Sequence, residues 1–203
     1  MFADGKQRIT RVTRRFSGVG IAAALAASLT WTMPASIAAQ AVASTEYQNK
    51  AAFLAQFPNF VEWPIDASHT AQTSFEICVY GDFGFGTSLA ESTRGTTIHG
   101  KKLEVRWVRK LPEVRTCQIL FISRSEHARY GLVLAAVANS GVLTVGETAG
   151  FLEAGGAICF SYDRELLQFE VNLAAAHDAR LKMSAQLLGL AKRVMNPAEG
   201  TKG

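Results

Sequence analysis

The stretch Phe75-Glu-Ile-Cys-Val-Tyr-Gly-Asp-Phe-Gly-Phe-Gly86 constrains this chain more than any other. Its first half is apolar and β-branched, and its second half carries three glycines. That composition predicts a buried strand running into a tight turn and then a helix. A glycine turn after a strand is where an α/β protein can cradle a phosphate. The cysteine in the middle of the strand, Cys78, suggests a different use. The glycine spacing is neither a Walker loop nor G-x-G-x-x-G, and no lysine follows. The turn is therefore read as backbone that needs positive φ and close strand–helix packing. Asp82-Phe83-Gly84 spells the kinase metal-binding triplet, but the other kinase segments are missing and the match is coincidence.

The first forty or so residues do not read as folded domain. Lys6, Arg8, Arg11, Arg14 and Arg15 precede an apolar run from Val19 to Trp31, and small residues follow Pro34. This is the layout of a secretory signal peptide, residues 1–41, with cleavage expected at about 38–43. A membrane anchor is the alternative, but the run is shorter than the ~20 residues of a spanning helix. Five of the 21 basic and one of the 17 acidic side chains fall in residues 1–43, which leaves 16 of each sign. The basic pI thus belongs to the leader, and nucleic-acid binding, which needs a basic face on the folded domain, is not expected. The mature product is expected to be soluble and periplasmic. Cys78, Cys117 and Cys159 enter an oxidising space where pairing is the default, and the odd count leaves one unpaired or intermolecular.

Along the chain, Ser44 to Trp63 reads as a helix that Pro58 kinks or splits, and Pro64 stops it. Ile65 to Ser74 is a polar linker. The opening strand and a helix over 85–93 follow, then a turn region over 95–102. Leu103–Val108 alternates as a strand, and Lys110–Arg115 forms one helical turn. Gln118–Ile122 is a strand buried on both faces. Ser123 or Ser125 caps a helix reaching about Asn139. Gly141–Val145 is a strand and Ala149–Glu153 a helical turn. Ala157–Tyr162 and Leu166–Asn172 form a hairpin around Asp163-Arg164-Glu165. Leu173 to about Met195 is helical, broken near 179–183, and 197–203 is a flexible tail. The pattern predicts a single α/β domain over 44–196, with a layered, mixed but mostly parallel sheet flanked by helices and a terminal hairpin.

Residues in a catalytic or metal-binding pattern are few. His69, His99, His127 and His177 are scattered without metal spacing, and there is no G-x-S-x-G elbow. No catalytic residue, metal site or cofactor is assigned. One polar set remains: Glu170 and Asn172 on a strand, with Lys182 and Ser184 near the following helix, are read as the lining of a small-ligand cleft. A solvated strand face is the plainer reading.

An ordered series of segments carries a family resemblance: Lys50-Ala-Ala-Phe-Leu, Phe60-Val-Glu-Trp-Pro64, Phe75-Glu-Ile-Cys-Val-Tyr-Gly-Asp, Cys117-Gln-Ile-Leu-Phe-Ile-Ser123, Gly155-Gly-Ala-Ile, Phe169-Glu-Val-Asn-Leu173 and Leu181-Lys-Met-Ser-Ala-Gln-Leu-Leu-Gly-Leu-Ala191. The chain resembles the YfiR family of exported proteins from Tyr47 to about Val194. The resemblance implies a non-enzymatic periplasmic repressor in cyclic-di-GMP signalling and biofilm control. Its partner would be the periplasmic domain of an inner-membrane diguanylate cyclase or sensor kinase, with an outer-membrane-associated antagonist and a homodimer. It also implies a disulfide between Cys78 and Cys117. Cys159 matches half of a second pair whose other position is Leu152, so Cys159 is expected to be unpaired. A periplasmic small-molecule binding module of another signalling or transport system is the alternative reading.

Overall fold

The computed structural model describes residues 35–64, 72–82, 84–85, 87–164 and 166–196, with side chains from Thr45 onward. The leader through residue 34, most of the expected linker, Glu165 in the expected hairpin loop and the tail from 197 lie outside the described residues.

Helix α1 spans Ala35–Gln56 and so begins before the expected start at Ser44, with the expected cleavage window inside it. It ends ahead of Pro58, which has no N–H for the carbonyl of Leu54. Phe57–Asn59 tightens into a 3-10 turn, and Val61–Glu62 form strand β1 where a helical continuation to Trp63 is expected. The other strands are β2 (Ser74–Tyr80), β3 (Thr97–Ile98), β4 (Lys101–Val108), β5 (Ile119–Ile122), β6 (Leu143–Gly146), β7 (Ile158–Asp163), β8 (Leu166–Asn172), β9 (Lys182–Met183) and β10 (Arg193–Met195). The shorter helices are α2 (Ser88–Thr93), α3 (Tyr130–Ala136), α4 (Leu173–Asp178) and α5 (Ala185–Leu190).

Four expectations change. The turn region over 95–102 contains β3, closed onto β4 by His99 and Gly100, both at positive φ. Ser123 caps a 3-10 turn over Arg124–Glu126, accepting from the Ser125 N–H, and the true helix is only α3. Ala149–Glu153 is a run of turns through Gly150 at φ 80°. The expected C-terminal helix is two six-residue helices alternating with β9 and β10. Its break at Arg180, φ 57°, lies inside the expected window. Strands of two or three residues carry no periodicity to read; they exist because neighbours supply their hydrogen bonds.

The main sheet has eight strands in the order β10-β8-β7-β6-β5-β2-β4-β3, and β1 and β9 form a separate ribbon. Strands β4, β2, β5, β6 and β7 run parallel. Strand β8 turns back antiparallel to β7, and β10 lies parallel to β8 at the edge. The hairpin is therefore not terminal, and the fold is the mixed, mostly parallel α/β sheet that was expected. Strand β2 connects to β4 on one side, while β5 returns to its other side, so the strand order reverses between β2 and β5.

Alternate residues of each strand feed two cores. Phe75, Ile77, Val79, Phe121, Val145, Phe160 and Phe169 meet Ala51 and Leu54 of α1 and Phe57 of the 3-10 turn on one face. Cys78, Tyr80, Leu120 and Ile122 meet Val133 and Leu134 of α3 on the other. The four residues of β5 are all buried, as a central parallel strand requires. Cys78 and Cys117 are joined across the β2–β5 neighbourhood with Cα atoms 5.8 Å apart, the pairing implied by the family resemblance. The Arg106 guanidinium lies 3.8 Å from both sulfurs and 2.8 Å from the Glu76 carboxylate.

A bridge closing 39 residues stabilises by about 4 kcal/mol in the chain-entropy description. Reduction is expected to lower the melting temperature. Cys78→Ser and Cys117→Ser should do so equally, and the double variant no further. Unequal or additive losses in differential scanning calorimetry would contradict the bridge.

Candidate functional site

In an open α/β sheet, ligands favour the carboxyl ends of the strands where the order reverses. Here that crevice lies beyond β2, β5 and β6, and protein side chains occupy it. Gly81 turns the chain at φ 104°, and a Cβ there would lie 2.6 Å from Ser125 Oγ and 2.7 Å from Glu126 Cγ. The Asp82 N–H donates to Ser125 Oγ at 2.9 Å. At Gly84 a Cβ would lie 2.4 Å from the Tyr47 ring. These two glycines admit neighbouring side chains where a phosphate cradle would need open backbone, which decides between the two uses of the opening stretch.

The crest holds an ionic cluster instead. Lys50, on the core-facing side of α1, is 1% exposed. Its ammonium pairs with Glu46 one turn earlier and with Glu147 at the end of β6, whose side chain is 1% exposed. Glu147 is fully supplied: Tyr47 Oη donates to it at 3.0 Å, the Arg124 N–H at 2.9 Å, and the Arg124 guanidinium lies 3.6 Å away. Arg124 also reaches Glu46 at 3.3 Å. The Lys50 ammonium sits 4.6 Å from the centroid of Tyr47 and 5.5 Å from that of Tyr162. Burial and the Glu147 charge push the Tyr47 hydroxyl well above its usual range. Two carboxylates against two cations make the cluster neutral and closed. Chemically it is a clamp fastening α1 to the ends of β5 and β6. Sequence reasoning passed over Lys50, Tyr47, Glu147 and Arg124. The available signal was a lysine on the same helical stripe as Tyr47, Ala51 and Leu54, four residues after Glu46.

The four residues expected to share a cleft lie apart. Glu170 projects to the face opposite α1, bonded by Arg193 Nε at 2.6 Å, beside a cavity of about 370 Å³ that also holds Cys159 and Ser161. Asn172 caps α4, accepting from the Ala175 N–H at 3.1 Å and donating to the Leu152 carbonyl at 2.8 Å. Lys182 and Ser184 lie on the α1 side, lining another cavity of about 570 Å³. Ser184 caps α5 by accepting from the Leu187 N–H at 3.2 Å. The sheet separates the two pairs, and one cleft does not join them.

Cys159 is a free thiol, half-buried. Desolvation, then Glu170, Glu153 and Glu147, push its pKa up to about 11. Among the described residues one group has metal-ligand proximity, Glu76, Cys78 and Cys117. Both its sulfurs are in the bridge, so it offers one carboxylate and no thiolate.

This geometry defines a class: an α/β domain with a mostly parallel sheet, an internal bridge and a closed crest. The YfiR/HmsC-like family pattern matches residues 47–192, and the chain belongs to that family. No curated protein matches the chain. Among solved structures, a conserved domain protein from Vibrio cholerae O1 biovar El Tor is similar at 12% identity and TM-score 0.49. An ABC domain in complex with L-Trp from Streptococcus pneumoniae is similar at 11% identity and TM-score 0.48. Each alignment covers 73% of this chain, which spans 60% of either structure.

Lys50→Met strands the buried Glu147 carboxylate and is expected to cost about 3–5 kcal/mol in denaturant unfolding. Lys50→Met combined with Glu147→Met should recover much of that loss. A single-variant cost under about 1 kcal/mol, the scale of an exposed pair, would contradict the clamp. Because its pKa is raised to about 11, Cys159 in the native protein should be alkylated slowly at neutral pH. Its rate should climb as pH rises toward that value, where an unperturbed thiol would already have levelled off; mass spectrometry of iodoacetamide-treated protein measures this.

Proposed function

We propose that this chain is an exported, non-enzymatic signalling regulator that binds the periplasmic part of an inner-membrane protein and holds it inactive. The partner is a diguanylate cyclase and the output is the cyclic-di-GMP level. The single observation that carries this reading is family membership over residues 47–192. The internal bridge supports it, since disulfides persist in oxidising compartments. The even charge balance after the leader also suits recognition of protein rather than nucleic acid. Among the described residues no helix is long and apolar enough to cross a membrane. On this reading residues 1–41 are removed, with the cut near 38–43, residues 44–196 form the regulatory domain, and the tail from 197 is dispensable. The domain acts as a homodimer, and an outer-membrane-associated antagonist releases the partner.

Deleting the gene is expected to raise cellular cyclic-di-GMP, and re-expression with the native leader should restore it. Re-expression without residues 1–41 should not. An unchanged level in the deletion strain would overturn the reading.

A further inference from the structure

We propose that the partner docks by strand addition: an extended segment of its chain enters the groove between β3 and the β1–β9 ribbon, and one large apolar side chain of that segment seats in the hollow beside it. This rests on the regulator reading above and assigns it a surface. The groove has a volume of about 570 Å³ and is walled by Thr97, Ile98 and His99 on one side and by Val61, Glu62 and Met183 on the other.

Among the described residues strand β3 ends the main sheet and pairs only with β4. Ile98 lies opposite Lys101, and the Leu103 N–H donates to the Thr96 carbonyl at 2.9 Å. In an antiparallel ladder the bonded pairs alternate, so the N–H and C=O of Thr97 point away from β4. The ribbon follows the same logic. The Ser184 N–H donates to the Phe60 carbonyl at 2.8 Å, so Met183, one residue earlier, turns its main-chain groups outward. Groups with this spacing are what an added strand satisfies.

Phe60 lines the groove and also a second hollow of about 270 Å³ formed with Phe53, Phe57, Phe169, Leu187 and Leu190. Leu190 is 63% exposed at its rim. An apolar hollow next to an open strand edge is the arrangement in which one large anchor supplies affinity while the main chain sets direction. Charge selects the segment. Lys102, opposite Thr97 on the hairpin, and Lys182 on the ribbon stand against Glu62, so the rim favours an acidic flank.

The test complements the deletion strain with full-length variants and measures cyclic-di-GMP. Thr97→Pro removes the outward N–H, Leu190→Glu charges the hollow, and the double change Lys102→Glu with Lys182→Glu reverses the rim. All three should leave cyclic-di-GMP at the deletion level. Wild type and Leu132→Ser, a change on exposed α3 outside the groove, should restore it. Export, bridge formation and melting temperature are checked for each. Should Thr97→Pro fail to fold, the two surface variants decide. Full restoration by folded variants overturns the docking surface while leaving the regulator reading intact. An unchanged level in the deletion strain overturns both. Conversion of a dimer to a monomer by Leu190→Glu, seen in sedimentation velocity of purified protein, would give the groove to a second copy and also overturn the proposal.

Discussion

A mostly parallel sheet covered on both faces is the constraint on which the rest of the structure depends. Once β2, β5 and β6 run parallel, their connections must pass over the sheet, and both faces need apolar cover. Successive residues of β2 serve opposite cores: Ile77 and Val79 face α1, while Cys78 and Tyr80 face α3. The same alternation places Cys78 beside Cys117 on the α3 face and denies Cys78 any contact with the α1 core. It also separates Glu170 from Lys182. A residue's parity along its strand decides which layer it can serve, and a cleft drawn from polar residues near in sequence fails when parity or a crossover intervenes.

Two unlike devices fasten the layers. The bridge ties β2 to the start of β5 and acts chiefly on the unfolded chain. The cluster of Lys50 and Glu147 acts on the folded state, since removing one partner leaves the other charge buried without its main counter-ion. The net stability gained from such a pair is small, because desolvation of both ions offsets their attraction. Its effect is on register. Rotating α1 by one residue would carry Lys50 about 100° around the helix and away from Glu147, so the cluster permits one seating of α1 on the sheet. The ring of Tyr47 adds to this, because it fills the space left by Gly84.

Legibility in the sequence followed the length of each signal. Strands β2, β4, β5 and β8 have apolar runs or clean alternation, and their expected positions are close to those observed. A helix beginning near Ser44 was legible, and Pro58 marked where it fails, but not that the chain beyond would pair with a segment some 120 residues later. Strands β1, β3, β9 and β10 are set by tertiary pairing and have no local period. The ionic cluster was hidden for a related reason. Lys50 and Glu147 are 97 residues apart, and only the packing of α1 on the sheet brings them together. The Cys78–Cys117 pairing came from family resemblance, because three cysteines alone leave three pairings open.

The glycine stretch after β2 shows how a strong local motif loses a plausible function through packing. Gly81 and Gly84 are small because Ser125, Glu126 and Tyr47 press against them, not because a ligand needs bare backbone there. With the crest filled and the faces covered, the main-chain groups left to meet another protein lie at the ends of the sheet. Natural sheets protect such edges with short strands, charge and local turns. Strand β3 has two residues, lies next to Lys101 and Lys102, and is reached through a positive-φ turn. These features discourage indiscriminate pairing while leaving the outward main-chain groups of Thr97 for one well-matched chain, as the proposed docking requires.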